Sequence, residues 1–263
     1  MKIKEQVLYL AGAIVLVAVL YFGFDTKPSS QKVLEKSRAL NTREFDIQSL
    51  EKEARVNIKP DEQTYLETIE TQAEHVSEDS QRIRLLKDLS GFWYRHNEHL
   101  IAGMYAKQVA EIENTAESWS IAGASLAAVL RQKELDEKKL GFARNEAVES
   151  FENAISLEPK VVEHRINQAL CYIELPQQDM PMKGIQMLAG LATSFPDSPL
   201  PPYHLARLAV QTGQYERAAE RIEQAMTLDP NNSRFACLGA EIYKALNDAV
   251  KVEKLNAICA GRQ

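Results

Sequence analysis

Residues 199–232 read PLPPYHLARLAVQTGQYERAAERIEQAMTLDPNN. Small or apolar residues at Leu205, Ala209, Ala218, Ile222 and Ala225 keep a helical period. Thr212-Gly213-Gln214 interrupts it and Asp229-Pro230 ends it, so the stretch predicts two short helices joined by a tight turn. Ala218, Ile222 and Ala225 stand at i, i+4 and i+7 and share one helix face, where two alanines allow a close approach by neighbouring backbones. A hairpin this short cannot bury its apolar face alone, and it implies copies of itself on either side.

The copies are present. Pro196 lies 34 residues before Pro230, and GIQMLAGLATSFP ahead of it places Gly184, Leu188 and Leu191 at the same three positions. Pro159 lies a further 37 residues back, and AVESFENAISLEP supplies Ala147, Phe151 and Ala154. The three extra residues fall in a longer turn, Leu175 to Pro181, which contains two prolines. Upstream, Leu89, Trp93, Ala102, Ala106 and Val109 take core positions of a degenerate unit whose turn runs from His96 to His99. Downstream, Leu238-Gly239 and Tyr243 belong to a fifth first helix, succeeded by a last helix ending near Gly261.

This pattern resembles the tetratricopeptide repeat (TPR). Tyr203 stands one place after the family's first aromatic position and Leu205-Ala206 replaces its leucine-glycine. Tyr215, Ala218, Ile222, Ala225 and Pro230 match the rest. Trp119 and Gly123 occupy the first-helix tryptophan and glycine of an earlier unit, whose second helix is expected near Ala147. That gap is about 12 residues longer than the family's. LRQKELDEKKLGFARN fills it with helix formers, so one of the two helices is expected to be extended. Together with an uncharged N-terminal stretch and a charged helical lead-in, the combination resembles a group of bacterial membrane-anchored TPR proteins.

Charge and composition narrow the function classes. The chain has 263 residues, 45% hydrophobic and 26% charged, with a net charge of -6. This suits one globular or solenoid domain with an appendage and argues against a nucleic-acid surface, which needs clustered Lys and Arg. Residues 7–24 (VLYLAGAIVLVAVLYFGF) carry no charge over 18 positions. As a helix they would span roughly 27 Å, close to the thickness of a bilayer core. No small-residue cleavage motif succeeds them, so an uncleaved N-terminal anchor is expected.

A count of Lys and Arg alone would leave the C-terminal domain in the cytoplasm. The six-residue tail ahead of the apolar run reads instead as an ordinary signal anchor that exports the domain C-terminal to it. We adopt the second reading: a single-pass inner-membrane protein with a periplasmic domain. Residues 25–41 form a polar tether and 42–82 a charged helical lead-in. This lead-in, through Phe45, Leu50 and Ala54 and then Tyr65, Leu66, Ile69 and Ala73, caps a repeat domain over 83–263. The expected fold is all-α: a transmembrane helix and then a solenoid of antiparallel helix pairs.

No catalytic constellation stands out. His96 and His99 could share a metal only on a regular helix, and the repeat frame puts them at a bend. Cys171, Cys237 and Cys259 lack C-x-x-C spacing and are expected as small buried thiols. No serine elbow, phosphate loop, zincin helix or EF-hand loop occurs, so neither an enzyme nor a cofactor is expected.

The TPR resemblance implies a groove lined by the first helices. Its usual groove positions map to Tyr203, Arg207, Val210 and Gln211 in one unit. In the unit before, they map to Glu163, Ile166, Leu170, Ile173 and Glu174. Ser120, Ala124 and Ala127 are their counterparts in an earlier one. A mixed apolar and charged groove suits an extended peptide or a partner helix. The expectation is a membrane-tethered scaffold for protein partners; the alternative is a structural, self-associating helical protein. Oligomeric state is left open by the sequence.

Overall fold

The computed structural model describes residues 45, 47–132 and 135–261. The chain divides into two units, Met1–Asp46 and Ile47–Gln263, and every described helix belongs to the second. The expected anchor at 7–24 and tether at 25–41 lie outside the described residues.

Two lead-in helices come first: α1 (Ile47–Ala54), continued by a 3-10 turn at Arg55–Asn57, and α2 (Pro60–His75). Five helical pairs come after them. They are α3 (Asp79–Arg95) with α4 (His99–Glu113), α5 (Ala116–Val129) with α6 (Glu137–Leu157), and α7 (Val162–Glu174) with α8 (Lys183–Ser194). The last two are α9 (Leu200–Gln211) with α10 (Tyr215–Leu228), and α11 (Ser233–Ala245) with α12 (Ala249–Cys259). From α2 onward each helix packs on the next in sequence. No strand occurs among the described residues, apart from an isolated bridge between Gln177 and Met180 in the long α7–α8 turn.

The start and stop signals explain these boundaries. Thr115 opens α5 with a capping box shared with Ser118. Asp136 opens α6 by accepting the backbone N–H of Lys138 and Lys139, both at 2.9 Å. Asn232 does the same for α11 and Asp248 for α12. Within three pairs the turn passes through a left-handed residue, Asn97, Gly213 or Asn247, with φ of 60, 71 and 60°. Asparagine and glycine tolerate that conformation best, and it lets the second helix reverse after a break of three residues.

The core keeps the repeat register. Ala147, Phe151, Ala154, Gly184, Leu188, Leu191, Ala218, Ile222 and Ala225 are all buried. The extended element of the widened unit is its second helix, which starts at Glu137 instead of near Ala147. Phe142 and Ala143 continue its buried face by more than a turn. At the other end, α1 packs on α4. There the Tyr105 hydroxyl donates to the buried Glu51, and Arg55 makes a two-oxygen contact with Glu70. Burial pushes the Glu51 carboxyl above its ordinary range, against the opposing pull of Tyr105 and Arg55.

Candidate protein-binding groove

First helices of successive pairs touch directly where α5 meets α7 and where α9 meets α11, so at these two junctions they form a layer beside the second helices. On α9 and α11 this layer is aromatic and basic. The Tyr203 ring lies 4.9 Å from that of Phe235, whose side chain is fully buried in the core shared by the two pairs. The Arg234 guanidinium stands 5.6 Å from the Tyr203 ring centroid, within cation–π range. Burial, with the like charges of Arg207 and Arg234, pushes the His204 imidazole down to about 4. The ring is therefore neutral at physiological pH and leaves the two arginines as the local charge. Neither arginine has an ion pair among the described residues.

Of the groove positions carried over from the repeat, Tyr203, Arg207 and Val210 are half-buried and Gln211 is exposed, all on α9. Glu163 and Glu174 are exposed at opposite ends of α7, and nothing pairs either of them with the α9 residues. Ile166 is a correction. It is 2% exposed and packs with Val162, Ala169, Leu188 and Leu191, so it holds the third pair together and offers no surface. The groove residue that sequence reasoning missed is Arg234, which α11 brings over Tyr203 from the next repeat.

The cysteines need a second correction. Cys237 and Cys259 form a disulfide joining α11 to α12, with a Cα–Cα distance of 4.7 Å. Cys171 is the buried free thiol, pushed up to about 12 by desolvation. His96 stacks on Phe92 and contacts its carbonyl oxygen at 3.0 Å, whereas His99 packs against Tyr94, so the two imidazoles have separate neighbours. Among the described residues no group of three His, Cys, Asp or Glu side chains could hold a metal.

Three larger clefts open on this unit. One of about 530 Å3 lies between α1 and the α3–α4 turn, and one of about 480 Å3 surrounds Glu51, Arg55 and Glu70. A third, about 420 Å3, lies between the third and fourth pairs and is floored by Ile173, Ile185, Leu205 and Leu208. The Tyr203 and Arg207 face is an open helical surface, whereas the second cleft gathers the ionisable groups Glu51, Arg55, Glu70 and Tyr105.

Stacked antiparallel hairpins with a shared first-helix layer define this protein as an α-solenoid. Residues 203–232 match the family model described as tetratricopeptide repeat. That segment is a tetratricopeptide repeat, and the second helices of the first three pairs keep the same register of buried small and apolar residues. No curated protein matches it. Solved structures with a similar helical arrangement include MamA, residues 41 to the end, from Desulfovibrio magneticus RS-1. It is 18% identical, with 69% of this chain and 97% of that chain covered and a TM-score of 0.43. A second MamA structure is 16% identical over 66% of this chain and 90% of that one, with a TM-score of 0.41. A third, MamA from AMB-1, is 16% identical over 69% and 94%, with a TM-score of 0.39. Similarity at this level decides nothing about partners.

Proposed function

We propose that this protein is a membrane-tethered, non-enzymatic scaffold that binds protein partners through the first-helix groove of its last two pairs, in envelope assembly or complex recruitment. The observation that carries the reading is the face made by Tyr203, Arg207 and Arg234. It joins a half-exposed aromatic to two guanidinium groups without carboxylate partners among the described residues, on helices that share a buried core. Aromatic and arginine side chains of this kind are the residues that anchor protein interfaces.

Two further features support the cellular setting. No described helix is long and apolar enough to cross a membrane, and the candidate span, residues 7–24, lies outside the described residues. Its 18 uncharged positions support an anchor. The Cys237–Cys259 disulfide supports a domain facing an oxidising compartment, which favours the exported orientation over the cytoplasmic one. Tethering would confine the groove to a layer beside the bilayer and raise its effective concentration toward membrane-bound partners.

The test combines Tyr203→Ala with Arg207→Glu. The double variant should keep its helicity and lose capture of partner proteins by the affinity-tagged full chain. Undiminished capture by a folded double variant would refute the groove assignment.

A further inference from the structure

The cleft between the third and fourth pairs shares Ile173 and Gln211 with the expected groove positions, and the rest of its lining lies outside them. Ile173 from the end of α7, Ile185 from α8, and Leu205 and Leu208 from α9 form an apolar floor. Of the α9 groove residues only Gln211 reaches it. The α7–α8 connection beside it, residues 175–182, is long and proline-containing, where α9 and α10 are joined by only three residues. That connection also exposes Met180 and Met182, at 47% and 52%, and Met182 lines the cleft. Methionine is flexible and polarisable, and it adapts to apolar partner surfaces of differing shape.

Charge sets the rim. Arg217 and Arg221 line the cleft from α10, at i and i+4, on one helix face. Their side-chain hydrogen bonds go to neutral groups, Gln214 at 2.7 Å and Gln224 at 3.3 Å, and neither has an ion pair among the described residues. A chain of net charge -6 thus holds two uncompensated guanidinium groups beside an apolar slot. The chain's own tether is a poor match, because residues 25–41 contain four Lys or Arg and only two acidic residues.

We infer that this cleft is a second docking site, separate from the first-helix groove, for an acidic amphipathic helix of a partner protein. Leucine-like side chains of that helix enter the floor formed by Ile173, Ile185, Leu205 and Leu208. Its Asp or Glu residues pair with Arg217 and Arg221. Apolar anchors spaced i, i+3 and i+4 fit a slot bounded by helices, and the carboxylates set orientation and partner choice.

The test uses the full chain in a neutral detergent, with p-benzoylphenylalanine in place of Met182. The probes are two synthetic helical peptides with the same leucine face, one flanked by glutamates and the other by lysines. Photo-crosslinking to position 182 should half-saturate at a concentration about tenfold lower for the glutamate peptide, the scale set by two exposed ion pairs. Arg217→Glu with Arg221→Glu should reverse that preference, and Tyr203→Ala should leave it unchanged, which separates this site from the groove. Equal capture of both peptides, no capture of either, or adducts only to a second copy of the chain would each overturn the inference. So would a preference that survives the double arginine reversal in a variant of unchanged helicity.

Discussion

Two glycines on α8, Gly184 and Gly190, should respond oppositely to the same substitution. A Cβ added at Gly184 would stand 2.5 Å from the Ala169 carbonyl oxygen, 2.6 Å from Ile173 Cγ1 and 3.0 Å from the Ile173 nitrogen. Two of those three atoms are backbone of α7 and cannot rotate aside. Reaching ordinary contact therefore means separating the helices of the third pair by about 1 Å at their closest approach. Overpacking of this kind costs about 1–3 kcal/mol, and at the second residue of a helix little propensity gain offsets it. At Gly190, mid-helix and exposed, an added Cβ meets nothing within 4 Å. There the alanine gains about 0.5–1 kcal/mol of helix propensity.

For a unit of this size about 1 kcal/mol moves a melting midpoint by roughly 2–4 °C. Gly184→Ala should lower the midpoint by about 2–12 °C, and Gly190→Ala should raise it by about 1–4 °C, both monitored by far-ultraviolet circular dichroism. A Gly184→Ala protein at least as stable as the parent would refute the close α7–α8 approach, and with it the register of the third pair.

The same packing makes three other outcomes testable. Ala218→Glu places a carboxylate at a fully buried contact between neighbouring helices and should cost several kcal/mol; a variant that melts like the parent would mean the repeat register is wrong. Cys237→Ser should lose about 2–4 kcal/mol by opening a loop between residues 22 apart. Alkylation of the denatured, unreduced parent should label Cys171 alone, and label on Cys237 would contradict the disulfide. Glu51, whose folded pKa is raised above the ordinary 4.5, stabilises the fold fully below that value and loses this contribution as pH rises through the raised one. Glu51→Gln keeps an acceptor for Tyr105 and removes the titration. Its urea midpoint should gain on the parent's between mildly acidic and mildly alkaline buffer, and parallel pH profiles would refute the assignment.

The repeat architecture was readable because α6, α8 and α10 each carry three small or apolar residues on one face ahead of a proline, and all nine of them are buried. The early start of α6 had a signal that the alignment on Ala147 obscured. Asp136 is an N-cap residue, and Phe142 and Ala143 lie on the helix's buried surface. Ile166 was misplaced by borrowing a position number from the repeat. Its own spacing, four residues after Val162 and three before Ala169, already describes a buried helix face. The disulfide required the hairpin itself: Cys237 lies ten residues before Asn247 and Cys259 twelve after, so antiparallel packing sets them opposite each other. Tyr105 and Glu51 are 54 residues apart, and Arg234 reaches Tyr203 from the next pair. No local pattern signals contacts of either kind.

The central claim is that the Tyr203 and Arg207 face binds a protein. Photoreactive residues placed at 203 and 207 in the full chain, irradiated in cells that produce it and read by mass spectrometry, test this most directly. The account predicts one recurring partner from an oxidising compartment at both positions, and none from a control at Glu67, exposed on α2. Adducts only to the chain itself, or the same proteins captured from position 67, would contradict it.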